Sequence, residues 1–130
     1  MKKTVFLILV FSAALQISGF YQKRDMLKAD TLRADSLEYK LIVLDPGFES
    51  WLATKPSKQF YSQSYYEQKN RLYVTEWNHR YRSYHGRVSY DSYIDYDFRT
   101  DYGLDLNYKL YYYFRYFEET NNVRLINTSR

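Results

Sequence analysis

Glu76 and His79 stand three positions apart in this chain of 130 residues, a spacing that puts a carboxylate and an imidazole on one helical face, as in di-iron bundles. Such a centre needs two of these pairs and further carboxylates from facing helices. His85 is the only other histidine, and it has no matching glutamate, so the pair makes no metal site. Asp95, Asp97, Asp101 and Asp105 around Gly103 resemble a calcium loop at first reading. The EF-hand pattern, however, wants an oxygen ligand where Arg99 stands, glycine at Thr100 and glutamate at Leu106. All three fail, and Asp101 reads instead as a helix cap. There is no cysteine, which excludes disulfides, cysteine-type zinc sites, a thiol nucleophile and a lipidated amino-terminal cysteine. No metal and no cofactor is expected.

Carboxylates for hydrolysis are plentiful: Glu49, Glu67, Glu76, Asp91, Asp95 and Asp97. Two would have to converge on one substrate in environments that push their pKa values apart. No Gly-x-Ser-x-Gly and no His-Glu-x-x-His anchors that idea. Glu67 with Arg71, and Glu76 with Arg80, are spaced as ordinary helix ion pairs in the favourable order. No catalytic set is named, and a small carboxylate-based glycan or peptide hydrolase stands as the alternative reading. The favoured one is a non-catalytic interaction or structural module. The chain holds 17 tyrosines, 8 phenylalanines and 2 tryptophans, and such rings stack on sugars and grip peptides. The candidate binding residues are the polar ones beside the main aromatic stripe: Asn70, Glu76, Asn78 and Arg80, with Asn107 and Tyr108 in support. An envelope protein or a glycan is the expected partner.

The elements that would position these residues follow from periodicity. Leu41, Ile42, Val43 and Leu44 form an apolar run closed by Asp45-Pro46-Gly47, the mark of a buried strand. Asp45 is placed to cap a short helix with Pro46 at its first position, turning Phe48, Trp51 and Leu52 inward. Ser62 or Ser64 caps a longer helix to about Ser83, on which Tyr66, Tyr73, Trp77, Tyr81 and Tyr84 share a face, with Asn70 inside it. Val88, Tyr90, Ile94, Tyr96 and Phe98 alternate with Ser89, Asp91, Asp95 and Asp97, which predicts a strand with one wet face pairing with 39–44. Asp101 caps a last helix to about Glu119, with Leu106, Leu110, Tyr113 and Phe117 inward and Phe114 and Tyr116 widening the face. Tyr111, Tyr112 and Tyr113 make that helix aromatic nearly all round, so it belongs at the centre. The tail from Thr120 is expected to fray. The fold class is therefore α+β: a two-stranded sheet and three helices in β-α-α-β-α order around an aromatic-rich core.

The amino end supplies an address. Lys2 and Lys3 precede the run TVFLILVFSAALQI, and Ser18 and Gly19 follow it, the three-part pattern of a signal peptide. The run is shorter than the roughly 20 residues a spanning helix needs. Residues 1–19 are read as the signal, 20–38 as a polar spacer and 39–130 as one globular domain. The spacer repeats ADTLR as ADSLE, and its leucines recur at an interval that suits neither helix nor strand. The protein is expected outside the cytoplasm, periplasmic or envelope-associated, touching a membrane only through the signal segment if that is retained. Cleavage after Gly19 removes two lysines and leaves 17 basic against 15 acidic residues. Their signs alternate along the chain, so no basic stripe tracks phosphates, and nucleic acid is not an expected partner.

Three segments, LIVLDPGFESWLATKP, FYSQSYYEQKNRLYVTEWN and DYGLDLNYKLYYYFRYFE, resemble an uncharacterised family of small exported Bacteroidota proteins, the domain of unknown function numbered 6146. The resemblance runs roughly from Tyr39 to Glu118. It implies location and lineage, with no activity attached. It also implies a lipoprotein-type signal, which a chain without cysteine does not share.

The signal reading has a direct consequence. The exported protein should begin at Phe20, and its intact mass should be lower by the first 19 residues. Recovery of the full-length species from the membrane fraction would replace the signal with an anchor.

Overall fold

The computed structural model describes residues 7–12, 38–83 and 85–127, with backbone only for 7–12 and Glu38. Most of the expected signal and spacer lies outside these residues. Two strands, β1 (Leu7–Ser12) and β2 (Glu38–Val43), are followed by three helices, α1 (Pro46–Leu52), α2 (Gln63–Ser83) and α3 (Gly103–Asn121). Helix α3 packs against α2, β2 and α1. The class is mixed α+β, as the periodicity predicts. Among the described residues, no helix is long and apolar enough to cross a membrane.

The sheet differs from the expectation. Residues 88–98 are not a strand, so the expected β-α-α-β-α order does not hold. The backbone that lies antiparallel to β2 is β1, with Leu7 opposite Val43, Leu9 opposite Leu41 and Phe11 opposite Tyr39. Leu41 is buried, whereas Ile42 and Leu44 are exposed, so β2 presents one face to the core and one to solvent.

The helix starts follow the cap chemistry. Asp45 accepts the Gly47 N–H at 2.9 Å and Pro46 opens α1. A Cβ at Gly47 would stand 2.8 Å from the Tyr116 hydroxyl, which would have to move aside. Ser62 Oγ accepts the Tyr65 N–H at 3.1 Å to start α2. Asp101 Oδ1 accepts the Gly103 N–H at 2.9 Å at the head of α3, where Gly103 takes a φ of +79°, a conformation open mainly to glycine.

Helix α3 is buried on nearly every side: Leu106, Leu110, Tyr111, Tyr112, Tyr113, Phe114, Tyr116 and Phe117 are all core residues. The aromatic stripe of α2 meets it over Tyr66, Tyr73 and Trp77, whereas Tyr81 is exposed and Tyr84 lies outside the described residues. The Tyr73 ring stacks on Phe114 at 4.8 Å between centroids, and Trp77 meets Phe117 edge-on at 4.6 Å. Each such pair contributes about 0.5–1.5 kcal/mol beyond area burial. The tail does not fray at Thr120. Asn122 ends α3 in the left-handed conformation, Leu125 is buried, and its N–H donates to Glu118 Oε1 at 2.7 Å.

Burial pushes the Tyr73 phenol up to about 12, with the Glu118 carboxylate adding to the shift. Burial also raises Tyr96 and Tyr113, helped by Glu67 and Asp91 respectively. An unfolded phenol ionises near its ordinary value of 10.0, so above that pH the unfolded chain sheds protons that the folded chain keeps. Stability is therefore intact below pH 10 and falls as pH rises, by about 1.4 kcal/mol per pH unit for each phenol held neutral. Titration should show cooperative alkaline unfolding together with a late rise in tyrosinate absorbance. A smooth tyrosinate titration centred on pH 10, with the fold retained, would contradict the buried phenols.

Candidate functional site

The four residues singled out beside the stripe lie on α2, and the structure divides them into three separate ties. Asn70 is fully buried, and its Nδ2 donates to the Asn107 backbone oxygen at 2.9 Å and to Asn107 Oδ1 at 3.2 Å. The same Asn107 Oδ1 accepts the Tyr96 hydroxyl at 2.6 Å, and Asn107 Nδ2 donates to the Gly103 carbonyl at 2.8 Å. This network joins α2, α3 and the segment before α3. Asn70 Oδ1 is buried with no hydrogen-bond partner among the described residues.

Asn78 does something different. Its Oδ1 accepts the Ile94 N–H at 2.8 Å and its Nδ2 donates to the Ile94 carbonyl at 2.9 Å. One carboxamide thus takes both backbone groups of one residue, as a neighbouring strand would. Beside it, Trp77 Nε1 donates to the Ser92 carbonyl at 2.8 Å. These two side chains replace the ladder that alternation in 88–98 predicted. The alternation itself is real: Tyr90, Ile94 and Tyr96 are buried, and Asp91, Tyr93 and Asp95 are exposed. Phe98 departs from it and is exposed beneath the Arg71 guanidinium, 4.8 Å away.

Arg80 is tied in three directions. It donates from Nε to Glu76 Oε1 at 2.6 Å, from Nη1 to the Tyr90 hydroxyl at 3.0 Å and from Nη2 to the Arg124 carbonyl at 2.9 Å. Its pKa is raised because the gain from Tyr90 and Glu76 exceeds the cost of burial, which is the largest single influence and acts the other way. Glu76 is spent in the same pair. The expected Glu67–Arg71 pair is not made; Glu67 accepts Gln63 Nε2 at 2.9 Å instead. Asn107 belongs to the Asn70 network, and the Tyr108 hydroxyl donates to the Pro56 carbonyl at 2.9 Å.

Other expected chemistry is also claimed by structure. The N-cap of α3 is Tyr102 rather than the expected Asp101, which accepts the Gly103 N–H from one residue further out; Asp97 holds Arg99 at 3.2 Å and Asp105 pairs with Lys58 at 3.1 Å. Among the described residues, no group of three or more His, Cys, Asp or Glu could hold a metal ion. Sequence reasoning missed Glu118, which ties Leu125, Tyr73 and Arg115 together. A glutamate beside a second one, Glu119, in the last turn of a helix gives no signal of such a role. What this surface exposes is aromatic and acidic: Tyr81, Tyr93 and Phe98 with Asp91 and Asp95.

Two substitutions test the ties. Asn78→Ala leaves the Ile94 N–H and C=O buried without partners, which should cost about 2–4 kcal/mol in denaturant titration. Arg80→Ala removes three hydrogen bonds from a partly exposed cation and should cost about 1–3 kcal/mol. A loss below about 0.5 kcal/mol in both would show that 90–96 and the tail hold without α2.

No curated protein and no solved structure matches the chain. A family model described as a family of unknown function, DUF6146, matches residues 3–130, and the chain belongs to that family.

Proposed function

We propose that the protein is exported to the cell envelope and acts there as a non-catalytic interaction module. The observation that carries this reading is how the polar side chains are used. Asn70, Asn78, Glu76 and Arg80 are each engaged in holding the fold. Glu49 pairs with Lys109 and Glu119 with Lys55. Carboxylates held this way are not a pair set apart for acid and base work. Among the described residues the exposed rings include Phe60, Tyr81, Tyr93 and Phe98, with Leu72 exposed as well, and exposed aromatic side chains of this kind suit partner recognition. Export is supported by the Lys2-Lys3 start and the short apolar run.

The test is a pull-down of the protein from its own envelope fraction, with an assay of envelope peptides and glycans for cleavage. A specific, salt-resistant partner without turnover is the expected result. Turnover that Glu76→Gln or Asp95→Asn abolishes would replace the module with the hydrolase.

A further inference from the structure

Leu7–Ser12 carry two assignments at once. In the sequence they lie inside the apolar run TVFLILVFSAALQI behind Lys2 and Lys3, the stretch of a leader that enters a membrane. In the structure they are β1, antiparallel to β2, with Val10 opposite Lys40 and Ile8 opposite Ile42. The two settings make opposite demands on one backbone. Among the described residues β2 is the only strand beside β1, so one row of its N–H and C=O groups has no ladder. Water satisfies such a row. Hydrocarbon does not, and a segment that enters it must bond its own backbone as a helix. These six residues therefore cannot lie on β2 and in a bilayer together. β2 is itself packed on α3, so the ladder to β2 is the main tie between β1 and the domain.

We propose that residues 7–12 exchange between the strand on β2 and an anionic lipid surface, and that the folded domain withholds them from the lipid. The run that contains them has 14 residues. As a helix it spans about 21 Å at 1.5 Å per residue, short of the roughly 30 Å hydrocarbon core. It enters one leaflet, with Lys2 and Lys3 left among the anionic headgroups. A run this short is held less firmly by lipid than a spanning helix. A two-stranded pairing is itself of marginal stability. Neither setting captures the segment outright, and β2 competes with the bilayer for it. Lys40 and Ile42 are exposed, so the pairing can be altered there without touching a buried residue. The proposal rests on the leader reading and adds to it a competitor within the chain.

The experiment uses the full chain, which has no cysteine of its own. The double variant Val10→Cys, Lys40→Cys introduces thiols at directly opposed positions. Opposed Cα atoms stand about 4.5–5.5 Å apart, within disulfide reach. Glutathione disulfide should convert this chain to an internally cross-linked monomer. In Val10→Cys, Ile42→Cys the positions are diagonal, about 7–8 Å apart, and the cross-link should form at least about tenfold more slowly. Flotation with vesicles of phosphatidylglycerol and phosphatidylethanolamine should then show the reduced Val10→Cys, Lys40→Cys chain binding at least about tenfold more tightly than the oxidised one. Failure of the opposed pair to cross-link, equal rates for the two pairs, equal flotation of the oxidised and reduced chain, or no flotation of either would each overturn the proposal. A protein exported and trimmed to Phe20 whose two redox forms float alike keeps the export reading and loses this one.

Discussion

Helix α3 has little face to give to water, with Arg115 exposed in the middle of its length. Across Leu106–Phe117 its buried residues point in every direction, and a helix apolar all round is stable only when enclosed. The rest of the described chain is arranged to enclose it. β2 and α1 cover one part, α2 covers the longest part, and Tyr90, Ile94 and Tyr96 close the remainder. With no cysteine to cross-link it, the domain relies on packing, and large rings bury about 150–250 Å² each. Rings also tolerate many relative angles, from the stacked Tyr73–Phe114 pair to the edge-on Trp77–Phe117 pair. That freedom favours collapse but leaves the alignment of the helices poorly defined.

Alignment comes from the buried amides. Asn70 and Asn107 stand opposite each other between α2 and α3, and sliding one helix against the other would strand both carboxamides away from water. An unpaired buried polar group costs about 1–3 kcal/mol, so the correct alignment is separated from its neighbours by a comparable gap. Asn70 Oδ1 is buried without a hydrogen-bond partner among the described residues. The network is thus better understood as a source of specificity than of net stability. Asn78 does the same for 90–96, and Arg80 and Glu118 do it for the tail. All the site residues inferred from sequence lie on this scaffold, which is why they align with the stripe.

What could be read from the sequence was what local chemistry decides. The Asp45-Pro46 cap, the Ser62 start, the central place of α3 and the inward set Leu106, Leu110, Tyr113 and Phe117 all follow from spacing and capping alone. Alternation in 90–96 correctly separated buried from exposed side chains. It could not say what satisfies the backbone, because a carboxamide and a neighbouring strand offer the same pair of groups to an extended chain. The end of the α2 stripe at Tyr81, and the anchoring of Leu125 by Glu118, depend on contacts between distant segments that periodicity does not encode.

The amino-terminal run meets two physical demands that use the same residues. A leader needs an unbroken apolar stretch behind basic residues, and a strand beside β2 needs short, β-prone apolar residues. LILVFS supplies both, and it stands antiparallel to Glu38–Val43. The two demands part only on processing, since cleavage after Gly19 takes β1 away. β2 is held on its inner side by Leu41 and by Tyr39 against Tyr102, 4.8 Å apart. A chain without β1 would leave the β1-facing backbone edge of β2 unpaired, next to the exposed Ile42 and Leu44. An open, apolar edge of that kind invites association unless something covers it. One stretch of sequence thus carries both the apolar pattern of a leader and the pairing partner of β2, and only the fate of that stretch separates the two.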